Sequence, residues 1–119
     1  AVYVTYIEVA RQEYWRAFST EPDYRRVPFI LAHVSIDFRS EALVREVLVL
    51  AIRCGGIGTK SFTFEYEIRE RESGRLVVEA SSVQVCYDYT VKQSIPVPDE
   101  LRRGLEVFEG RGLPQPPRI

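Results

Sequence analysis

Apolar residues recur at Tyr3, Ile7, Ala10, Tyr14 and Phe18. Steps of four, three, four and four trace one face of a helix. Val2, Tyr6 and Ala17 widen the stripe, while Glu8, Arg11, Gln12 and Arg16 fall toward the other side. The pattern predicts a helix from the first residue to about Ser19. There Ser-Thr-Glu-Pro ends it, because the residue before Pro22 avoids α geometry. Trp15, near that end, is expected to plug an edge of the core.

The period then changes. Segment 20–28, TEPDYRRVP, is a polar loop closed by Pro28. From there Ile30, Ala32, Val34, Ile36 and Phe38 alternate with Leu31, His33, Ser35, Asp37 and Arg39, which predicts a strand with one apolar and one mixed face. Residues 43–54 read as a second, more apolar strand, and the short link 40–42 suggests that these two form a hairpin. CGGIG at 54–58 punctuates. Phe62, Phe64, Tyr66 and Ile68 then alternate with Thr63, Glu65, Glu67 and Arg69, and a turn signal at Ser73-Gly74 leads into a long strand over 75–88. Three successive hairpins would make an antiparallel meander. Beyond Asp88 the pattern weakens until DELRRGLEVFEG. This is a short helix with Asp99 and Glu100 favourably placed in its first turn. The proline-rich stretch from about 111 to 119 is expected to be a mobile tail.

With 119 residues, the chain is expected to form a single domain over 1–119. A net charge of −1 offers no basic excess for nucleic acid. No apolar run is long enough to span a membrane, and no signal-peptide pattern occurs, so a cytoplasmic protein is expected. Two cysteines, Cys54 and Cys86, far apart and without CxxC spacing, read as buried free thiols. The chain has no methionine and starts inside an apolar helix, so its natural sequence is expected to extend further toward the N-terminus.

Several chemistries lack their residues. The only histidine is His33, mid-strand, and no GxSxG, HExxH, GxGxxG or P-loop accompanies it. Triad, metal and dinucleotide chemistry are therefore not expected, and neither a metal nor a separate cofactor is implied.

A long helix followed by antiparallel strands is the order of the hot-dog architecture, an α+β fold. In it a curved antiparallel sheet wraps a long central helix and a short C-terminal helix closes the chain. The helix text YVTYIEVARQEYW, the link and strand GIGTKSFTFEYEI, the strand GRLVVEASSVQVCYD and the closing IPVPDELRRGL occur in that order. Together they resemble the 4-hydroxybenzoyl-CoA thioesterase-like branch of the hot-dog acyl-CoA thioesterases. The resemblance implies hydrolysis of an acyl-coenzyme A thioester to a free acid and coenzyme A, with coenzyme A entering as part of the substrate. A related hydratase style places an Asp five residues before a catalytic His; here that position is Pro28.

The resemblance also implies a first strand and a catalytic Asp about eight positions before Ala1, so the catalytic residue is not identified in this chain. Glu8 is a substitute only if the chemistry lies on the helix; its plainer role is structural, including pairing with Arg11. Gly58, Thr59, Lys60 and Ser61 are expected to meet coenzyme A, Lys60 through the phosphates. Arg39 and Arg45 are weaker candidates. Tyr3 and His33 could line the acyl pocket, although core or subunit packing explains them as well. A homodimer or homotetramer is implied. The alternatives are a non-catalytic acyl-CoA-binding or regulatory hot-dog domain and an α+β fold of the nuclear-transport-factor type.

Overall fold

The computed structural model describes residues 2–18 and 29–114. The polar loop 20–28, including Pro28, and the tail beyond 114 lie outside the described residues. Helix α1 spans Val2–Phe18. Strands β1 (Phe29–Phe38), β2 (Leu48–Ile57), β3 (Ser61–Glu70) and β4 (Leu76–Asp88) follow, then the two-residue β5 (Gln93–Ser94) and helix α2 (Asp99–Glu109). The strands form one antiparallel sheet in the order β1-β4-β3-β2, with β5 paired to the end of β4.

This order corrects the expected meander. β2, β3 and β4 make two successive hairpins, but β1 pairs with β4 and not with β2. The short hairpin link does not form. Residues 39–47 instead carry the chain across the end of the sheet from one edge to the other, and β2 begins at Leu48, five residues later than expected. The backbone N–H groups of Arg39 and Ser40 donate to Val77 O, and that of Arg71 donates to Val47 O. The crossover is therefore fixed to the strands it passes.

Irregularities decide which side chains face inward. In β1 the pairing slips between Leu31 and His33, leaving Ala32 as an extra residue. The simple alternation breaks there. Cross-strand register puts Phe29, Leu31, Val34, Ile36 and Phe38 on the α1 side, and Ile30, His33, Ser35 and Asp37 on the outer side. The glycines of CGGIG do not end β2; they bulge it. Cys54 pairs with Phe64 and Gly56 with Thr63, so Gly55 is extra. A Cβ at Gly55 would lie 2.5 Å from a carboxylate oxygen of Glu65, so the Glu65 side chain would have to move to admit one. β3 follows its period-two pattern throughout, burying Phe62, Phe64, Tyr66 and Ile68.

α1 lies on the inner face of the sheet. Ile7, Ala10, Tyr14 and Trp15 are buried there. Each large apolar side chain removed from water contributes about 1.5–3 kcal/mol. Trp15 packs its ring against Phe29 at 5.1 Å, and Tyr14 packs against Phe64 at 4.7 Å. On the far side of α1, Tyr6 and Val9 are 39% and 48% exposed, so the described sheet does not enclose the helix.

Arg11, which the period assigns to the polar side, is only 6% exposed. Its Nη1 donates to Tyr66 Oη at 3.4 Å, and Tyr66 Oη shares a 2.5 Å hydrogen bond with Ser82 Oγ. Gln84 Nε2 also donates to Ser82 Oγ. Burying a polar group costs free energy that a hydrogen bond offsets, so these bonds favour the way α1 sits on β3 and β4, although Gln84 Oε1 is buried without a partner among the described residues.

α2 covers the other end of the same core through buried Leu105, and Gly110 closes it in a left-handed conformation at φ 74°. Tyr14 Oη donates to Glu109 Oε2 at 2.6 Å, and the Cys54 N–H donates to the same oxygen at 2.8 Å. One carboxylate thus ties α2 to α1 and to the β2 bulge. Of the stretch expected to form a mobile tail, 111–114 return to the core. Leu113 N–H donates to Glu106 Oε2, and Ile57 N–H donates to Pro114 O.

Candidate functional site

The main core fills the α1–α2 end of the molecule. A second, smaller cluster of Ile68, Val77 and Val78 lies under the start of α1, with Tyr3, Ala42 and Leu48 packed against it. These two clusters position two chemically different ends.

At the first end, α1 begins. The opening N–H groups of an α-helix have no intrahelical acceptor and carry a partial positive charge. No acidic side chain occupies this first turn. Tyr3 packs edge-on against Tyr6 at 6.1 Å and against Phe38 at 5.5 Å. Such an end can polarise a neutral carbonyl and hold apolar matter beside it.

The crossover 39–47 borders this end and is held by Arg75. Arg75 Nε donates to Ser40 Oγ, and its Nη2 donates to Glu41 O and to Glu46 Oε1, the last at 2.6 Å. Glu46 Oε1 also accepts the Leu43 N–H at 2.8 Å. These bonds hold the Glu46 carboxyl below its ordinary pKa, Arg75 first and the Leu43 N–H second. Arg39 is engaged with Glu79 at 2.9 Å, and Arg45 is exposed in the loop.

At the opposite end, residues 58–60 turn β2 into β3. Gly58 N–H donates to Ser61 O, Cys86 N–H to Lys60 O, and Val97 N–H to Thr59 O. Gly58 is buried, Thr59 and Lys60 are exposed, and Ser61 opens β3 half-buried. Beside this turn lies a cleft of about 450 Å³ whose walls include Gly58, Thr59, Val97, Asp99 and Arg102. Arg102 Nη2 donates to Gly58 O at 2.8 Å, which fixes a guanidinium over the turn. The sequence reading missed Arg102. Its signal was faint: Pro98 sets the entry of α2, and Arg102 follows one turn later.

The predicted site residues therefore do not converge. Gly58, Thr59, Lys60 and Ser61 form one local turn. Tyr3 lies toward the other end of α1, a helix about 25 Å long for its 17 residues at 1.5 Å each. His33 sits on the outer face of the sheet opposite Val83, across the sheet from Tyr3. Glu8 is exposed, two turns into α1 and outside the buried face that holds Arg11. Another outer-face depression of about 420 Å³ includes Asp37, Glu65, Glu67 and Glu79. Arg53 meets Glu65 there at 2.7 Å, a half-exposed pair of the kind that contributes little.

Burial sets the remaining titrations. Cys54 and Cys86 are free and buried, and desolvation pushes their thiols up to about 12 and about 11. Neither is a thiolate nucleophile near neutral pH. Tyr14 is also raised, by burial first and then by its bond to Glu109. Among the described residues, no group of His, Cys, Asp and Glu is arranged to hold a metal ion, and no helix is long and apolar enough to cross a membrane.

The order of elements and the sheet topology agree with what the chain matches. Residues 1–105 match the thioesterase-like superfamily, and the chain belongs to it. Its fold is of the hot-dog type. A thioesterase from Thermus thermophilus, solved in complex with coenzyme A and Zn, superposes with a TM-score of 0.81. That protein is 25% identical over 94% of this chain and 80% of its own. A predicted thioesterase from Bacillus stearothermophilus gives 0.78 at 20% identity, covering 98% of this chain and 83% of the other. A 1,4-dihydroxy-2-naphthoyl-CoA thioesterase from Synechocystis gives 0.72 at 21% identity, covering 87% and 78%. No curated protein sequence matches.

Proposed function

We propose that this chain is an acyl-CoA thioesterase: water adds to the thioester carbonyl, the C–S bond breaks, and a free acid and coenzyme A leave. The observation that carries this reading is the first described turn of α1, which holds no acid and has aromatic rings beside it. Membership of the thioesterase-like superfamily supports the thioester as the bond cleaved. The carbonyl oxygen would accept from the first N–H groups of α1, which stabilise it as charge develops. A carboxylate would activate water or attack directly. α1 lacks one in its first turn, so in this reading the acid comes from another segment.

The charged part of coenzyme A would be met by Lys60 and Arg102 around the 58–60 turn. That turn and the carbonyl site lie toward opposite ends of α1. Either an extended substrate follows α1, or a second copy of the chain supplies one end. We favour a homodimer or homotetramer, because β1 and β2 are both unpaired edges among the described strands. Its place of work is taken to be the cytoplasm, in keeping with two free thiols.

Acyl-coenzyme A esters incubated with the purified natural protein, carrying the segment that supplies the acid, should release free coenzyme A thiol, read with a thiol reagent that the buried cysteines do not consume. Binding without release would mark a non-catalytic acyl-CoA-binding domain. Lys60→Ala should raise KM for coenzyme A esters about fivefold, the worth of about 1 kcal/mol. It should do so much less for a thioester of N-acetylcysteamine. Equal effects on both would remove the phosphate role.

A further inference from the structure

We propose that the end of β1 and the crossover 39–47 form the rest for the acyl group, and that Phe38, Leu43 and Val44 select which acyl groups are accepted. The inference rests on the thioester reading above and names its substrate side.

Three observations carry it. Phe38, Leu43 and Val44 are 66%, 61% and 103% exposed, an unusual state for large apolar side chains that fall within seven residues of one another along the chain. Phe38 and the base of the loop lie at the start of α1: Tyr3, on its first turn, touches Phe38 and shares its supporting cluster with Ala42, the residue before Leu43. A carbonyl held by the first N–H groups of α1 would therefore extend its acyl chain toward these residues.

The loop is also built to present them. Glu46 turns back beneath the loop to take Leu43 N–H and Arg75, so its charge is used internally. Arg75 holds Ser40 and Glu41 O as well, which leaves the turn at 44–45 pointing outward. Arg39, Glu41 and Arg45 are the exposed charges of this loop; Arg39 is paired with Glu79, and Glu41 and Arg45 flank the apolar tip on either side. The chemistry that fits is an uncharged hydrocarbon, an alkyl chain of several carbons or an aromatic ring.

The test compares kcat/KM for acetyl-, octanoyl- and benzoyl-coenzyme A. In Phe38→Ala the octanoyl-to-acetyl and benzoyl-to-acetyl ratios should each fall about tenfold. A Leu43→Ser, Val44→Ser double variant, altered only at an exposed tip, should lower the same ratios about threefold without shifting thermal unfolding. Unchanged ratios would overturn the proposal. So would a drop in sedimentation coefficient with equal losses on all three esters, since a second copy would then be what covers the patch. If the wild type binds these esters without cleaving them, the ratios are read from dissociation constants and the hydrolase reading alone fails. If it binds none of them, both readings fail.

Discussion

α1 begins with no acid in its first turn, whereas α2 begins with Asp99 and Glu100. A helix N-terminus carries roughly half a positive charge, and a nearby carboxylate satisfies it. α2 therefore uses its own side chains to settle its dipole, and its far end is tied down by Glu109 on Tyr14 and Cys54. Residues 2–5 of α1 supply no such carboxylate, and they lie beside rings and an exposed apolar loop. The two helices thus differ in the side chains of their first turns: α2 carries its own acids, and α1 carries none.

The contrast can be broken at three points. The largest effect is expected at the structural end. Glu109→Ala strands the buried Tyr14 hydroxyl and the Cys54 N–H, and should cost about 1–3 kcal/mol for each group left without a partner. A urea midpoint close to that of the wild type would show that α2 is not anchored there. At the ligand end, Val4→Asp places a carboxylate in the first turn of α1, at an exposed position. It should stabilise the fold by about 0.3–1 kcal/mol while lowering kcat about tenfold. Thermal unfolding and steady-state rates read the two opposite signs together, and an unchanged kcat would move the carbonyl away from α1.

The smallest effect is one of pH. The Glu46 carboxyl is held low by Arg75 and Leu43 N–H, and Glu70 by the N–H groups of Glu72 and Ser73. A depressed folded pKa contributes stability above the unfolded value of 4.5, and that contribution is lost as pH falls through the folded value. Amide NMR signals of 41–47 and 71–75 should therefore broaden below about pH 4.5. Sharp signals throughout would place the clamp elsewhere.

Much of the fold was legible in local periodicity. The Tyr3-Ile7-Ala10-Tyr14-Phe18 stripe, the strict alternation of β3 and the acid-led start of α2 each depend on near neighbours along the chain. The misreadings came from non-local effects. A link of a few residues looked like a hairpin, yet the edge of β4 was the partner that completed β1. Arg11 sat on the polar side of the helical wheel, but Tyr66, 55 residues away, gave it a buried partner. The site was legible only in pieces. GTKS was visible as a turn, while Arg102 and Phe38 came to their positions through α2 docking and strand pairing, which no spacing in the chain records.

The extra residue at Ala32 works as a change of phase. Strand side chains count in twos, so each residue upstream of Ala32 has inverted parity relative to those downstream. Without that inversion Phe29 would point away from Trp15 and Phe62, and Leu31 away from α1. One unpaired residue thus lets a single strand close the main core at one end and present Phe38 at the other. Its loss would cost alignment between the two ends of the molecule, a larger matter than the few atoms of an alanine.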